Sequence, residues 1–235
     1  MKTKEEKDVL SGAMEIAQDI YNKVGGLEPM LSVDFKWAVD FTGHKGRKES
    51  RIGLLLSTAQ MLADRIEISG RLGFVAAVLS KLKLTSEPEN VLFVSEAWVS
   101  GDVSTRPSDD PKRKEAVIVA VMDKQEKLYT QINTIWSVYK ETEDGNVYIQ
   151  KQIAKTPVKE TDTPDSAESP LLSAFWTTYR HTLNTMREES EILSHFAKVS
   201  STDPQQVIEM VFRVSMEKYG QGDMYTGGIS YEKNN

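Results

Sequence analysis

Apolar residues recur at helical spacing near the start of the chain. Val9, Leu10, Ala13, Ile16, Ala17, Ile20, Tyr21 and Val24 share one side, with Glu15, Gln18, Asp19 and Lys23 on the other. This period predicts an amphipathic helix, and Gly25-Gly26 ends it, because glycine tolerates the left-handed geometry of a helix C-terminus. From Pro29 the period becomes two. Leu31, Val33, Phe35, Trp37 and Val39 alternate with mostly polar neighbours, the pattern of a half-buried strand. A turn over 42–48 follows. Residues 49–83 read as helix, with a break into two near Ile68-Ser69-Gly70, and Pro88 closes the region.

The second half of the pattern is mostly β. Val91-Leu92-Phe93-Val94 predicts a short strand leading into Ser95-Glu96-Ala97-Trp98, and a polar loop spans 101–114. Residues 115–122 and 128–139 are strands, the second with Ile132, Trp136 and Val138 on one face and Ile135 and Tyr139 on the other. Glu143-Asp144-Gly145-Asn146 is a hairpin turn, and 147–153 is the returning strand. Short turns make consecutive strands antiparallel. The fold class expected is therefore α+β: an antiparallel sheet of about five strands with helices packed on one face, plus a C-terminal helical segment.

Residues 155–169 are dominated by Thr, Pro, Asp, Glu and Ser and read as a flexible linker. Ser169-Pro170 and Asp203-Pro204 are helix starts. Leu172, Phe175, Trp176, Tyr179, Leu183, Met186, Leu193 and Phe196 continue at helical spacing after the first start, and Val207, Ile208, Val211, Val214 and Tyr219 after the second. The organisation expected is a sheet domain at 1–154, a linker at 155–169, a helical association segment at 170–219 and a disordered tail at 220–235.

Composition narrows the class. The chain has 235 residues, net charge −6 and no cysteine. Disulfides and thiolate chemistry are excluded, and the acidic balance argues against a surface that coats nucleic acid. The charged N-terminus carries no signal-peptide pattern, and no window is apolar enough to span a membrane. A cytoplasmic protein is expected.

Candidate chemistry concentrates between Ser95 and Glu115. Glu96 and Trp98 occupy alternate positions of one strand and share a face. Arg106, Arg113 and Glu115 lie in or beside the long loop that follows, and long loops carry function more often than short ones. Two arrangements fit: a ligand pocket of a carboxylate beside an indole, or a core tryptophan with a Glu96–Arg113 ion pair. A second candidate is the basic turn with Lys45, Arg47, Lys48 and Arg51, which precedes a predicted helix start and so suits an anion, although it lacks the Gly-Lys-Ser/Thr ending of a phosphate loop. His44, His181 and His195 form no metal motif. The latter two lie about 21 Å apart on one predicted helix, so no metal and no cofactor are expected.

Ser95-Glu96-Ala97-Trp98, then Pro107-Ser108, then Asp110-Pro111-Lys112-Arg113-Lys114-Glu115 before a β run resembles a pattern in a family of uncharacterised bacterial and phage proteins. The resemblance covers about residues 8–125 and is specific at 95–115. It implies a shared fold and carries over no catalytic residue.

No Gly-x-Ser-x-Gly elbow is present, and the residues leave open whether the chain is an enzyme. The leading expectation is a non-enzymatic interaction module that self-associates, with a homo-oligomer or another protein held through the C-terminal helices and their Phe175, Trp176 and Tyr179 face. The alternatives are an enzyme or nucleotide- or anion-binding protein using residues 95–115, and a nucleic-acid-associated protein using the basic turn at 44–51.

Overall fold

The computed structural model describes residues 4–35, 50–58, 60–100, 106, 108–154, 159–161, 169–186, 204–217 and 224–227. The fold is α+β with an antiparallel sheet. Its helices are α1 (Lys4–Val24), α2 (Leu62–Lys81), α3 (Pro170–Thr185) and α4 (Pro204–Met216). Its strands are β1 (Met30–Phe35), β2 (Ser50–Leu55), β3 (Asn90–Val99), β4 (Lys114–Asp123), β5 (Leu128–Glu141), β6 (Val147–Ile153), β7 (Lys159–Thr161) and β8 (Met224–Gly227). The chain divides into two units. One gathers Met1–Met30, Phe93–Val121 and Leu128–Ala167; the other gathers Leu31–Leu92, Met122–Lys127 and Glu168–Asn235.

In the first unit the strand order is β6-β5-β4-β3, and β7 also pairs with β5. Helix α1 packs on β5 and β6, and its buried residues are Leu10, Ala13, Met14, Ala17 and Tyr21; Met14 joins the expected stripe, and Val24, expected on it, is exposed. Gly25, at φ +79°, closes the helix by donating its N–H to Tyr21 O at 2.8 Å. Polar groups under the helix are joined to one another. Asn133 Nδ2 donates to Ala154 O (2.7 Å), Gln131 Nε2 donates to Asn133 Oδ1 (3.0 Å) and Gln18 Nε2 reaches the same Ala154 carbonyl (3.4 Å). Burying them unpaired would cost more than these bonds return.

In the second unit the strand order is β1-β2-β8, with β8 antiparallel to β2. Helix α2 is buried from Ile68 to Leu79 on nearly every side. It packs against α3 and α4, as a helix apolar all round must. A Cβ on Gly73 would stand 2.3 Å from the carbonyl oxygen of Phe175, and one on Gly70 would stand 3.0 Å from Thr178 Oγ1. Glycine therefore lets the α2 and α3 backbones meet. Ser169 caps α3, accepting from Leu172 N at 3.4 Å, with Pro170 in the first turn. Phe175 and Tyr179 stack with ring centroids 6.1 Å apart, and Trp176 meets both edge-on at 5.1 and 5.8 Å. Trp176 Nε1 donates to Met122 O at 3.4 Å.

Several expectations are corrected. Residues 50–55 form strand β2 rather than helix. Ile52, Gly53 and Leu54 are all buried, and a strand covered on both faces shows no alternation for the eye to find. Helix α2 runs unbroken through Ile68-Ser69-Gly70, because its small residues serve close packing. The expected linker at 155–169 contains β7, and the expected disordered tail contains β8. Residues 155–158 and 162–168 of the linker lie outside the described residues, as do 36–49 and 187–203. Helix α3 stops at Thr185. Its aromatic face, expected to meet a partner, is buried against α2 in the same chain, and residues from 168 onward belong to the unit that holds residues 31–92.

Candidate functional site

Strand β3 places Glu96 and Trp98 on one face, as their spacing requires. Arg113 stands at the entry to β4, and its guanidinium carbon lies 4.7 Å from the centre of the Trp98 ring, within cation–π range. The approach to β4 is a turn held by Asp110, whose carboxylate accepts from Lys112 N (2.7 Å) and from the Ser100 hydroxyl (2.5 Å). Arg113 Nη1 also donates to Ser108 O at 3.3 Å.

The expected Glu96–Arg113 pair and core tryptophan are not what these side chains form. Glu96 Oε1 accepts from the backbone N–H of Leu27 at 2.5 Å, and Trp98 is half-exposed. The connection after α1 explains the first. Leu27 is buried and its amide has left the helix, so it takes the nearest carboxylate. Glu115, one face-step from Arg113 along β4, pairs with Lys151 of β6 at 2.5 Å. Lys151 stands opposite Ser137 on the intervening strand β5.

Tyr21 of α1 completes the group. Burial pushes its phenol up from the ordinary 10.0, the Glu96 carboxylate adds to this, Lys151 opposes it and Glu115 adds again. The hydrogen bond to Glu115 holds the Lys151 ammonium above its ordinary 10.5. Residues from α1, β3, β4 and β6 thus converge: Tyr21, Glu96, Glu115 and Lys151. Tyr21 and Lys151 are absent from the sequence candidates. The signal for Lys151 is a single cation within the otherwise uncharged Val147–Ile153 strand. Nothing in sequence spacing signals Tyr21, which lies on the apolar stripe of α1.

Arg106 is exposed and has no described contact with these four residues. Lys45, Arg47 and Lys48 lie outside the described residues, and Arg51 lies on β2, where its Cα partner is Gly227. Among the described residues no group of three His, Cys, Asp or Glu is placed to hold a metal ion, and no helix is long and apolar enough to cross a membrane.

Burial, with a lesser contribution from the two engaged carboxylates, keeps the Tyr21 phenol neutral. The glutamate on β3 ties down an amide and the one on β4 is matched by an ammonium. A raised folded-state pKa contributes stability that is complete below the ordinary value and is lost as pH rises through the folded one. Tyr21, Lys151 and Tyr179 all shift upward. For Tyr179 burial is the main cause; its hydroxyl lies beside Ser80, which offsets part of the shift, yet makes no hydrogen bond of good geometry. Stability from these groups is therefore level through neutral pH and falls above the ordinary tyrosine value of 10.0. Glu96→Gln lowers the Tyr21 pKa towards its ordinary value, read by ultraviolet titration of tyrosinate. Glu96→Ala, which leaves Leu27 N unpaired, costs about 1–3 kcal/mol in denaturant unfolding.

A second surface lies on the β5–β6 hairpin. Ten large hydrophobic side chains are exposed among the described residues, and five of them are here: Trp136 (56 %), Tyr139 (72 %), Val147 (65 %), Tyr148 (47 %) and Ile149 (60 %). In the antiparallel register Trp136 faces Gln152, Tyr139 faces Ile149, Lys140 faces Tyr148 and Glu141 faces Val147. Opposed residues share a face and successive ones alternate. Trp136 and Tyr148 therefore lie on one face, and Tyr139, Val147 and Ile149 on the other.

Comparison with protein-family models, with curated proteins and with solved structures found no match.

Proposed function

We propose that this chain is a non-enzymatic, cytoplasmic protein-association module whose contact surface is the β5–β6 hairpin. The observation that carries the reading is the concentration of Trp136, Tyr139, Val147, Tyr148 and Ile149 on one exposed arm. Scattered exposed apolar residues are ordinary, whereas Tyr139, Val147 and Ile149 adjoin on one face of the arm, and an apolar patch marks a binding surface. Aromatic residues are also enriched where proteins meet. The α3 aromatic face, the alternative contact, is already occupied by α2. The Tyr21 cluster supports the same reading, because its carboxylates are engaged in holding the first unit together.

The test is a photo-reactive residue, p-benzoylphenylalanine, in place of Tyr148, with irradiation in living cells and mass spectrometry of the adducts. A protein adduct that disappears when Trp136→Ser and Ile149→Ser are added is the expected result. A chain that forms no protein adduct from this position defeats the reading.

A further inference from the structure

Resting on that reading, we infer that the occupant of the hairpin surface is a second copy of this chain, joined edge to edge through β6 about a two-fold axis. Three observations lead there.

The first is the edge itself. Strand β6 ends the strand order, and no described strand pairs with its outer side. Sheet edges of this kind are normally blunted by proline, by free charges or by extreme shortness. The sequence Val147-Tyr148-Ile149-Gln150-Lys151-Gln152-Ile153 has no proline and no acid, and its single cation is taken up by Glu115.

The second is the placement of apolar groups. Because they lie on both faces of the arm, a partner laid on either face leaves the other wet. An added strand abuts both faces at once. With roughly 200 Å² for an aromatic side chain, the exposed portions of Trp136, Tyr139 and Tyr148 come to about 700 Å² over two copies. Val147, Ile149 and the edge backbone add to this, while Trp136 and Tyr139 stand on β5, one strand in from the seam, and are covered only in part, so the interface lies below the ~1,200 Å² of standard ones.

The third is the phase of the ladder. Thr142 N donates to Asn146 O and Ala154 N donates to Thr134 O, both at 2.8 Å. Hydrogen-bonded pairs recur at every second residue, so Tyr148, Gln150 and Gln152 direct their amides to β5. Val147, Ile149, Lys151 and Ile153 direct theirs outward. An antiparallel copy centred on Gln150 then sets Val147 against Ile153 and Ile149 against Lys151. Every outward N–H and C=O finds its counterpart, the whole strand overlaps, and no like charges stand opposite each other. Centring on Lys151 would oppose two ammonium groups, which is unfavourable.

The experiment is light scattering on the full-length chain at on the order of 10 µM, where a weak interface of this size is populated. The expected result is a dimer. Ile149→Pro removes an outward amide and no bond to β5, so it gives a monomer whose thermal unfolding matches the parent. Ile149→Lys and Ile149→Glu supply a readout that leaves the backbone intact. The first opposes Lys151 of the second copy and the second attracts it, so dimerisation is about tenfold weaker for the lysine variant than for the glutamate variant. Equal dimerisation by these two variants, or a dimeric Ile149→Pro, overturns the inference. A monomeric parent does so too. If that monomer still gives Tyr148 adducts to another protein in cells, the hairpin reading stands and only the second copy is wrong.

Discussion

Gly73→Ala is expected to destabilise the second unit by about 3 kcal/mol or more, at the upper end of what overpacking costs. The added methyl would meet the Phe175 carbonyl oxygen at 2.3 Å, and a carbonyl held in the α3 hydrogen-bond ladder cannot swing aside as a side-chain tip does. Relief requires α2 and α3 to separate. That separation loosens the packing of α3, whose Phe175, Trp176 and Tyr179 are all buried. Gly70→Ala is the internal comparison. Its methyl meets Thr178 Oγ1 at 3.0 Å, a movable group, so its cost is the smaller of the two. Denaturant unfolding of the two variants beside the parent measures the difference. Equal effects would mean that helix propensity, and not contact, governs both sites, since alanine favours helix over glycine by about 1 kcal/mol at either position.

Trp176→Ala is the second large effect, at about 3–5 kcal/mol. The indole is almost fully buried, stands edge-on to Phe175 and Tyr179, and donates to Met122 O. Truncation leaves a cavity, removes two aromatic contacts and frees a buried carbonyl. Trp176→Phe recovers part of the volume and none of the hydrogen bond, so its loss is intermediate. On the outer side Arg180 pairs with Glu126, donates to Lys124 O at 2.9 Å and lies 5.8 Å from the Trp176 ring centre. Exposed ion pairs contribute little, and Arg180→Ala is correspondingly mild. Equilibrium unfolding followed by tryptophan emission from the remaining indoles checks the order of the three.

The parts of the fold legible in the sequence are those with a single wet face or a local punctuation mark. Helix α1 shows its stripe, Gly25 its stop, Ser169-Pro170 its start, and Gly145 the β5–β6 turn. Strand β2 was hidden because Ile52, Gly53 and Leu54 are all covered, which erases the alternation that separates strand from helix. The glycines of α2 read as a break because their purpose, contact with Phe175, depends on a helix far along the chain. At the candidate site, the shared face of Glu96 and Trp98 follows from alternation alone. The partners of Glu96 and Glu115 do not, since Leu27 and Lys151 arrive from other elements. The exposure of the β5–β6 arm has no trace in sequence: Val147-Tyr148-Ile149 is an unbroken apolar run, the pattern of a strand covered on both faces, yet all three are exposed.

The discontinuous make-up of the second unit has a kinetic consequence. Its core joins α2 to α3 across the whole sheet-forming stretch of the first unit, so contacts such as Gly73 to Phe175 carry a large chain-closure cost. High contact order of this kind slows folding. On the ribosome α2 emerges well before α3 exists, and its apolar surface stays uncovered until residue 185 has been made. Truncation before Pro170 would fix the chain in that half-built condition. The first-unit strands can pair meanwhile, so maturation is expected to proceed in two phases, an early one for the β3–β6 sheet and a late one when α3 docks.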